Sequence, residues 1–381
     1  MRIKEIRCYM LRAPLQKRFG YSQRWFEARS TVLVKIVTDS GHQGWGEVFC
    51  HDAQESVAAL IEHTYARRLI GRDPLPIAVI WDDLYNWTKD YGQKGVTIAA
   101  LSGVDIALWD ILGQVTGQPV HLLLGGAFRE QVQGYATGLY MREGDDPARM
   151  LAEEARTYVG RGFRAIKMKI GYGPGRDLFL VEAVRRAIGD DVALMVDANH
   201  AYDAATAIRL GRRLEPLNIA WFEEPVSPED VDGYCEVRAA LHIPIAGGEA
   251  EFTRYGFREL ITRRAVDILQ PDVCLTGGLS EARVIAAMAR AFHLRCLPHA
   301  WGTQVGLAAS LHFLASLPDT PPSLHPLPAL LELDQTEHPL RDAVVRRGLC
   351  IEGDRVRVPQ EPGLGIVVDE EAVERLSLRR S

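Results

Sequence analysis

The sequence lacks several features, and each absence removes a class of protein. Its six cysteines (Cys8, Cys50, Cys235, Cys274, Cys296 and Cys350) are scattered and form no C-x-x-C pair, which points to reduced thiols rather than a disulfide framework. Cys274 and Cys296 lie in apolar, strand-like runs and read as core filler. No basic stripe dominates any segment and the formal net charge is −6, which argues against a nucleic-acid partner. No apolar run approaches the roughly 20 residues needed to span a bilayer. The opening MRIKEIRCYMLRAPL alternates apolar and polar residues where a signal peptide would carry an apolar core, so it reads as a strand. A cytoplasmic protein without membrane contact is the expectation.

What is present is a chain of 381 residues with 47% hydrophobic and 25% charged residues, ordinary globular usage. The length suits a barrel of roughly 250 residues plus a second domain. The first part, 1–125, reads as an α+β unit: strands over 3–10, 31–38 and about 44–49, helices over about 56–69, 77–87 and 98–112. The stretch PLQKRFGYSQRWFEARS between the first two strands is too irregular for either period and reads as a loop. From about Val132 the rhythm changes. VQGYATG, AIKMKIG, ALMVDAN, IAWFEEP, IPIAGGE, AVDILQPD, LRCLPHA and LLELD alternate with amphipathic helices, which predicts eight parallel strands closed into a barrel over 126–340. An open doubly wound sheet is the rival, but no glycine-rich phosphate turn follows its first strand. Residues 341–381 read as short strand-like pieces returning to the first domain.

Polar residues fall at the strand ends. Asp197, Glu223, Glu249, Asp272 and His299 each lie about one β-α unit beyond the last, so their side chains converge on the C-terminal mouth, where barrel active sites sit. Each acid taken alone could cap the following helix. Three together in a low-dielectric mouth could not all stay ionised without a cation. An all-oxygen set favours Mg²⁺, with Mn²⁺ possible, over zinc. Lys167 and Lys169 are two residues apart and point to one side of their strand. A partly desolvated lysine there, near another cation, is expected to have a depressed pKa and to serve as a base. Asp272 beside His299 would fix the imidazole tautomer. Removing a proton α to a carboxylate makes an enediolate, which calls for a metal ion and a positioned base, and this set offers both.

At these residues the chain resembles the enolase superfamily, in its mandelate racemase subgroup. ALSGVDIALWDILGQVTGQPVHLLLGG is similar to the subgroup's first signature and VDANHAY with WFEEP to its second; K-x-K, GGE, QPD and PH complete the series. The superfamily's lysine or histidine base working with magnesium is a known pattern. The resemblance implies a modified TIM (β/α)7β barrel with an N-terminal α+β capping domain, and Asp197, Glu223 and Glu249 as magnesium ligands. It further implies Lys169 as base on one face with Lys167 holding the substrate carboxylate, Asp272–His299 as a dyad on the other, Asn199 touching substrate, and Glu332 hydrogen-bonding the enolate oxygen.

Within the subgroup, YATG, DANHAY, WFEEPV, AVDILQPD and PHAWGT are most similar to acid-sugar enzymes, galactaro-lactone cycloisomerases in particular. His200, Trp301, Gln304 and Tyr140 are candidates for bonding sugar hydroxyls, and Lys17, Arg18 and Arg24 for meeting a distal carboxylate. The expected partner is a small-molecule carboxylate, and the family commonly forms homo-oligomers. Acid-sugar dehydratases (galactarate, glucarate or gluconate type) and racemases or epimerases share the first step. A Schiff-base aldolase would use a lysine without metal and leave the acids unexplained. A non-enzymatic sugar-acid-binding protein would have no reason to gather the acids, lysine pair and dyad. An amidohydrolase would show His-x-His on its first barrel strand, and YATG does not.

Overall fold

The structure, a computed structural model, describes residues 1–378. The chain opens with an antiparallel meander, β1 (Ile3–Gly20), β2 (Trp25–Thr38) and β3 (Gln43–Val48). Here the structure departs from expectation: the stretch read as a loop is a long two-stranded arm, pairing through Phe19↔Phe26 and Gly20↔Trp25. A register irregularity between Pro14 and Phe19 breaks the alternation that would have advertised it. The arm is held by tertiary contact: Gly20 and Met141 exchange both backbone hydrogen bonds at 2.8 Å. In β2 both faces are buried. Val32, Val34 and Ile36 join the capping core, whereas Leu33 faces a second core shared with the barrel.

The helix Val96–Thr116 packs across this sheet so closely that a Cβ on Gly46 would lie 1.9 Å from the carbonyl oxygen of Gly103. At 21 residues it is long and apolar enough, by length and composition, to cross a membrane, so the expectation that no such run exists was too strong. It is instead a core helix whose buried polar residues each fasten another element. Asp110 accepts from the backbone N–H groups of Trp45 and Leu364, both at 2.9 Å. Asp105 accepts from the N–H (3.0 Å) and hydroxyl (2.5 Å) of Ser280. The Ser102 hydroxyl accepts from Gly277 N–H at 2.8 Å.

The barrel strands are β4 (Gln131–Gly138), β5 (Ala165–Lys169), β6 (Ala193–Asp197), β7 (Ile219–Glu223), β8 (Ile245–Gly247), β9 (Ile268–Leu269), β10 (Arg295–Cys296) and β11 (Leu330–Asp334). They are parallel, with β11 pairing β4, and one main helix follows each of the first seven, which is a (β/α)7β barrel with a capping domain. Register does the positioning: Lys169 pairs with Asp197 and Asp197 with Glu223, three functional candidates side by side at one level. The helix caps fall elsewhere. Asp146, Asp203 and Asp230 cap the helices Pro147–Gly160, Ala204–Leu214 and Val231–Ala240, leaving Asp197 and Glu223 free of that duty. Beyond β11, the hairpin Ile351–Glu352/Arg355–Arg357 pairs antiparallel with the start of β4, and the helix Glu370–Leu376 lies on β1.

Cap and barrel are tied by Glu47 at the end of β3. Its buried carboxylate accepts from the N–H of Thr303 (2.9 Å), the Thr303 hydroxyl (2.7 Å) and Gly306 N–H (2.8 Å), closing the first turn of the barrel helix Gln304–Ala315. Burial pushes its pKa up, and these donors oppose the shift.

Gly46→Ala is expected to destabilise the protein by ~3 kcal/mol in denaturant unfolding, because the obstacle is backbone and cannot rotate away. An unchanged unfolding midpoint would mean that sheet and helix can separate at little cost.

Candidate active site

A cavity of about 400 Å³ lies between the barrel mouth and the capping domain, within the range of small-molecule sites. Lys169, Glu249, His299 and Glu332 line it, together with Asn199, His200, Tyr140 and Trp301. Asp197 and Glu223 are fully buried, outside its lining, and with Glu249 they offer ligand oxygens within 4.8 Å of one another. Glu249 Oε2 and Asn199 Oδ1 are buried without a hydrogen-bond partner. Three converging carboxylates with an oxygen left over fit a hard dication such as Mg²⁺, and the donor set suits Mn²⁺ equally.

The two lysines separate in depth. Lys169 Nζ donates to Asp197 Oδ2 at 2.5 Å and faces the cavity. Lys167 is not part of the cavity wall; its ammonium is paired with Glu223, lies 2.9 Å from Glu332 Oε1, and is buried throughout. The depressed lysine pKa expected from sequence is not found. Burial pulls both down, but Asp197 beside Lys169, and Glu223 and Glu332 beside Lys167, outweigh it and hold both well above the ordinary value. The lowering would require a cation to draw on those same carboxylates.

On the other side His299 Nδ1 and Asp272 Oδ2 are 2.7 Å apart, leaving Nε2 towards Glu249 (3.7 Å) and Glu332 (3.9 Å). Burial alone would lower the imidazole pKa; the charges of Glu249 and Glu332, then the Asp272 bond, raise it to about 10. Glu332 lies at the cavity, as expected. Burial favours its neutral form, but Lys167, His299 and the Thr137 hydroxyl (2.6 Å) bring its pKa down to about 2.

Of the proposed specificity residues, Arg18 does not reach the cavity. Its guanidinium is exposed, pairs with Glu143 and lies 5.0 Å over the Trp25 ring, because the arm turns it outward. Lys17 is exposed and Gln304 donates to Asp342 at 2.7 Å, so neither lines the wall, whereas Arg24, paired with Asp52, lines an adjoining cavity of about 250 Å³ that shares Phe26, Phe49, His51 and Trp301 with this one. The tip of the arm does arrive: Tyr21 lines the cavity, Ser22 Oγ donates to Ala198 O (2.7 Å) and Gln23 Nε2 to Asn199 O (2.8 Å).

Several contributors were not singled out from sequence. Glu224, buried at a left-handed φ of 43°, lies 3.1 Å from His200 Nδ1 and 3.4 Å from Asn199 Nδ2. Burial, then Glu249 and Asp197, push its pKa well above the ordinary range. Trp221 Nε1 (2.9 Å) and Gln270 Nε2 (2.7 Å) both donate to Glu223 Oε2 and aim that carboxylate. The doubled acid of WFEEP and the glutamine of QPD were the available signals. His51, on the capping wall, had none.

Two family models match the chain: Mandelate racemase / muconate lactonizing enzyme, N-terminal domain, over residues 7–125, and Enolase C-terminal domain-like over residues 150–372. The chain is 44% identical to a D-galactarolactone cycloisomerase of Agrobacterium fabrum, with 98% of each chain covered. It is 37% identical to an arabinonate dehydratase of Saccharolobus solfataricus, with 88% of each covered. The crystal structure of the 3,6-anhydro-D-galactonate cycloisomerase from Zobellia galactanivorans is similar with a TM-score of 0.90 at 40% identity, covering 100% of both chains.

In chelator, His299 is expected to titrate near pH 10 by NMR. Its folded pKa is raised, so its stabilising contribution is complete below the unfolded value of about 6.5 and is lost as pH rises through about 10. Metal-free wild type should therefore lose stability over that window relative to His299→Asn. Titration near 6.5 would mean that Glu249 and Glu332 do not act on the imidazole.

Proposed function

The chain belongs to the mandelate racemase / muconate lactonizing enzyme family of the enolase superfamily, and we propose that it is a magnesium-dependent enzyme that opens an acid-sugar lactone by β-elimination. What supports this reading above all is one arrangement: Lys169, Asp197 and Glu223 in register, with Glu249 close by, facing the Asp272–His299 pair across one cavity. Asp197, Glu223 and Glu249 would hold the ion, which supplies Lewis-acid stabilisation of the charge that grows on the substrate carboxylate.

The chain's own groups account for the rest. Lys169 or His299 takes the α proton, according to the face that carries it. The electron pair left behind forms the Cα–Cβ double bond as the Cβ–O bond breaks. In a lactone that oxygen departs as a carboxylate, a good leaving group needing little acid assistance. The enol then takes a proton at Cβ, gives up its hydroxyl proton and becomes a keto-deoxy acid. Asp272 orients His299 through Nδ1, so that Nε2 is the nitrogen that exchanges a proton with substrate. Lys167, outside the cavity wall, pairs with Glu332 in that wall, and the two fix the charge around Glu223. The identity to an arabinonate dehydratase favours a second reading, loss of hydroxide from an open acid sugar, in which His299 would have to donate the proton that makes water.

Proton NMR in D₂O with Mg²⁺, screening aldonates, aldarates and their lactones, is expected to show conversion of an aldaro-lactone to a keto-deoxy acid that stops with chelator. Loss of water from a free acid would select the dehydratase, and no exchange from any of them would overturn the acid-sugar reading. Lys169→Ala and His299→Asn should each keep the fold and Mg²⁺ binding but lose roughly 10²–10⁴-fold in turnover. Mg²⁺ should raise the melting temperature of wild type but not of Glu249→Gln, since only a bound ion stabilises the native state.

A further inference from the structure

The adjoining cavity of about 250 Å³ is built differently from the first. Every residue from 24 to 31 contributes to its wall, so the arm and the strand that carries it form one side. Phe26, Phe49, His51 and Trp301 belong to both cavities, and their rings pack against one another. Centroids are 4.6 Å apart for Phe49 and His51, 4.9 Å for Phe26 and Trp301, and 5.8 Å for His51 with either Phe26 or Trp301. The four rings make a partition. Lys169, Glu249 and His299 line only the first cavity, whereas Asp272, which holds His299, lines only the second.

The second cavity presents hydrogen-bond donors that nothing receives. Arg29 is 3% exposed, and most of its guanidinium is committed. Nε donates to Glu337 O at 3.0 Å, Nη2 pairs with Asp334 and Thr336, and the group lies 4.1 Å over the Trp301 ring. Its Nη1 is buried and meets no acceptor among the described residues, and the same holds for Trp301 Nε1. His338 accepts the Arg341 N–H on Nδ1 at 3.0 Å, and burial beside Arg29 and Arg341 keeps its ring neutral, so its proton is on Nε2.

The acids of the wall already have their donors. Asp272 takes Cys274 N–H (2.7 Å) besides His299, and Glu47 takes the hydroxyls of Thr31 (2.8 Å) and Thr303 (2.7 Å). Asp52 pairs with Arg24 and also feels the charge of Arg12, two guanidiniums for one carboxylate. Glu27 stands exposed in water. Buried guanidinium and indole donors without acceptors are costly, and an oxyanion satisfies them with the strongest bonds available.

We propose that this second cavity is an anion site separate from the metal centre, taking a small free oxyanion (sulfate, phosphate or a carboxylate) on Arg29 Nη1 and Trp301 Nε1, with Arg12 and Arg24 supplying positive charge. Its occupant is a neighbour of the Asp272–His299 pair, beyond the ring partition from the metal ligands.

Calorimetry with inorganic sulfate, at constant ionic strength on the full-length protein, tests this with Mg²⁺ and again with chelator. One saturable site with a Kd of about 1 mM or below is expected, equal in the two conditions and in Glu249→Gln. Arg12→Gln combined with Arg24→Gln should weaken it about tenfold. Trp301→Phe, which keeps a ring and removes the N–H, should weaken it about fivefold. Arg29→Lys keeps a charge for Asp334 and should abolish binding; if that variant does not fold, the other two still decide. No saturable binding, or binding that none of these variants weakens, would overturn the proposal. Binding lost in chelator or in Glu249→Gln would place the anion at the metal and also overturn it. So would displacement of sulfate by an aldarate or its lactone in the Mg²⁺-loaded protein, which would make the cavity an extension of the substrate site and leave the acid-sugar reading intact.

Discussion

Crowding of negative charge at the barrel mouth is the constraint on which the rest of the site depends. Asp197, Glu223 and Glu249 bring oxygens within 4.8 Å of one another, with Glu224 and Glu332 close behind. In a dry interior that arrangement is unfavourable unless positive charge is supplied. The chain supplies part of it through Lys167 and Lys169, and fixes the acids with neutral donors from Trp221 and Gln270. The strand register then decides which charges meet, because Lys169, Asp197 and Glu223 are adjacent rungs of one ladder. The oxygens left without a partner, on Glu249 and Asn199, mark where a dication would complete the balance.

The barrel was legible in the sequence because it repeats. Each strand ends at the same level, so a polar residue closing each apolar run is also a residue at the mouth, and the Asp272–His299 contact follows from two neighbouring strand ends. Where the structure answers to contacts distant in sequence, legibility fails. The arm of β1 and β2 is aligned by Met141 and interrupted by a shift near Pro14, and neither leaves a local period to read. Arg18 sits in the expected loop, yet the pairing of the arm turns it towards Glu143. Glu224 and His51 owe their positions to left-handed backbone, which no pattern of residue types announces at a non-glycine position. The lowered lysine pKa was expected beside a cation, and without one Asp197, Glu223 and Glu332 outweigh burial and hold both ammoniums up.

The helix Val96–Thr116 shows how composition alone can mislead. Its apolar length would suit a bilayer, but Ser102, Asp105 and Asp110 are spaced along it as fastenings to three different parts of the molecule. The subgroup's first signature is therefore a structural joint between the capping domain and the barrel.

Glu47 has a consequence for traffic. Its carboxylate is buried at the root of the cap and bound into the first turn of a barrel helix, so the two domains cannot part like jaws without exposing that turn. The tip of the arm is fastened separately, by Ser22 and Gln23 to two backbone carbonyls after β6. Cap and barrel are thus joined at two distinct places, the root of the cap at Glu47 and the turn at 21–24, and the wall over the metal-ligand end of the cavity hangs on both.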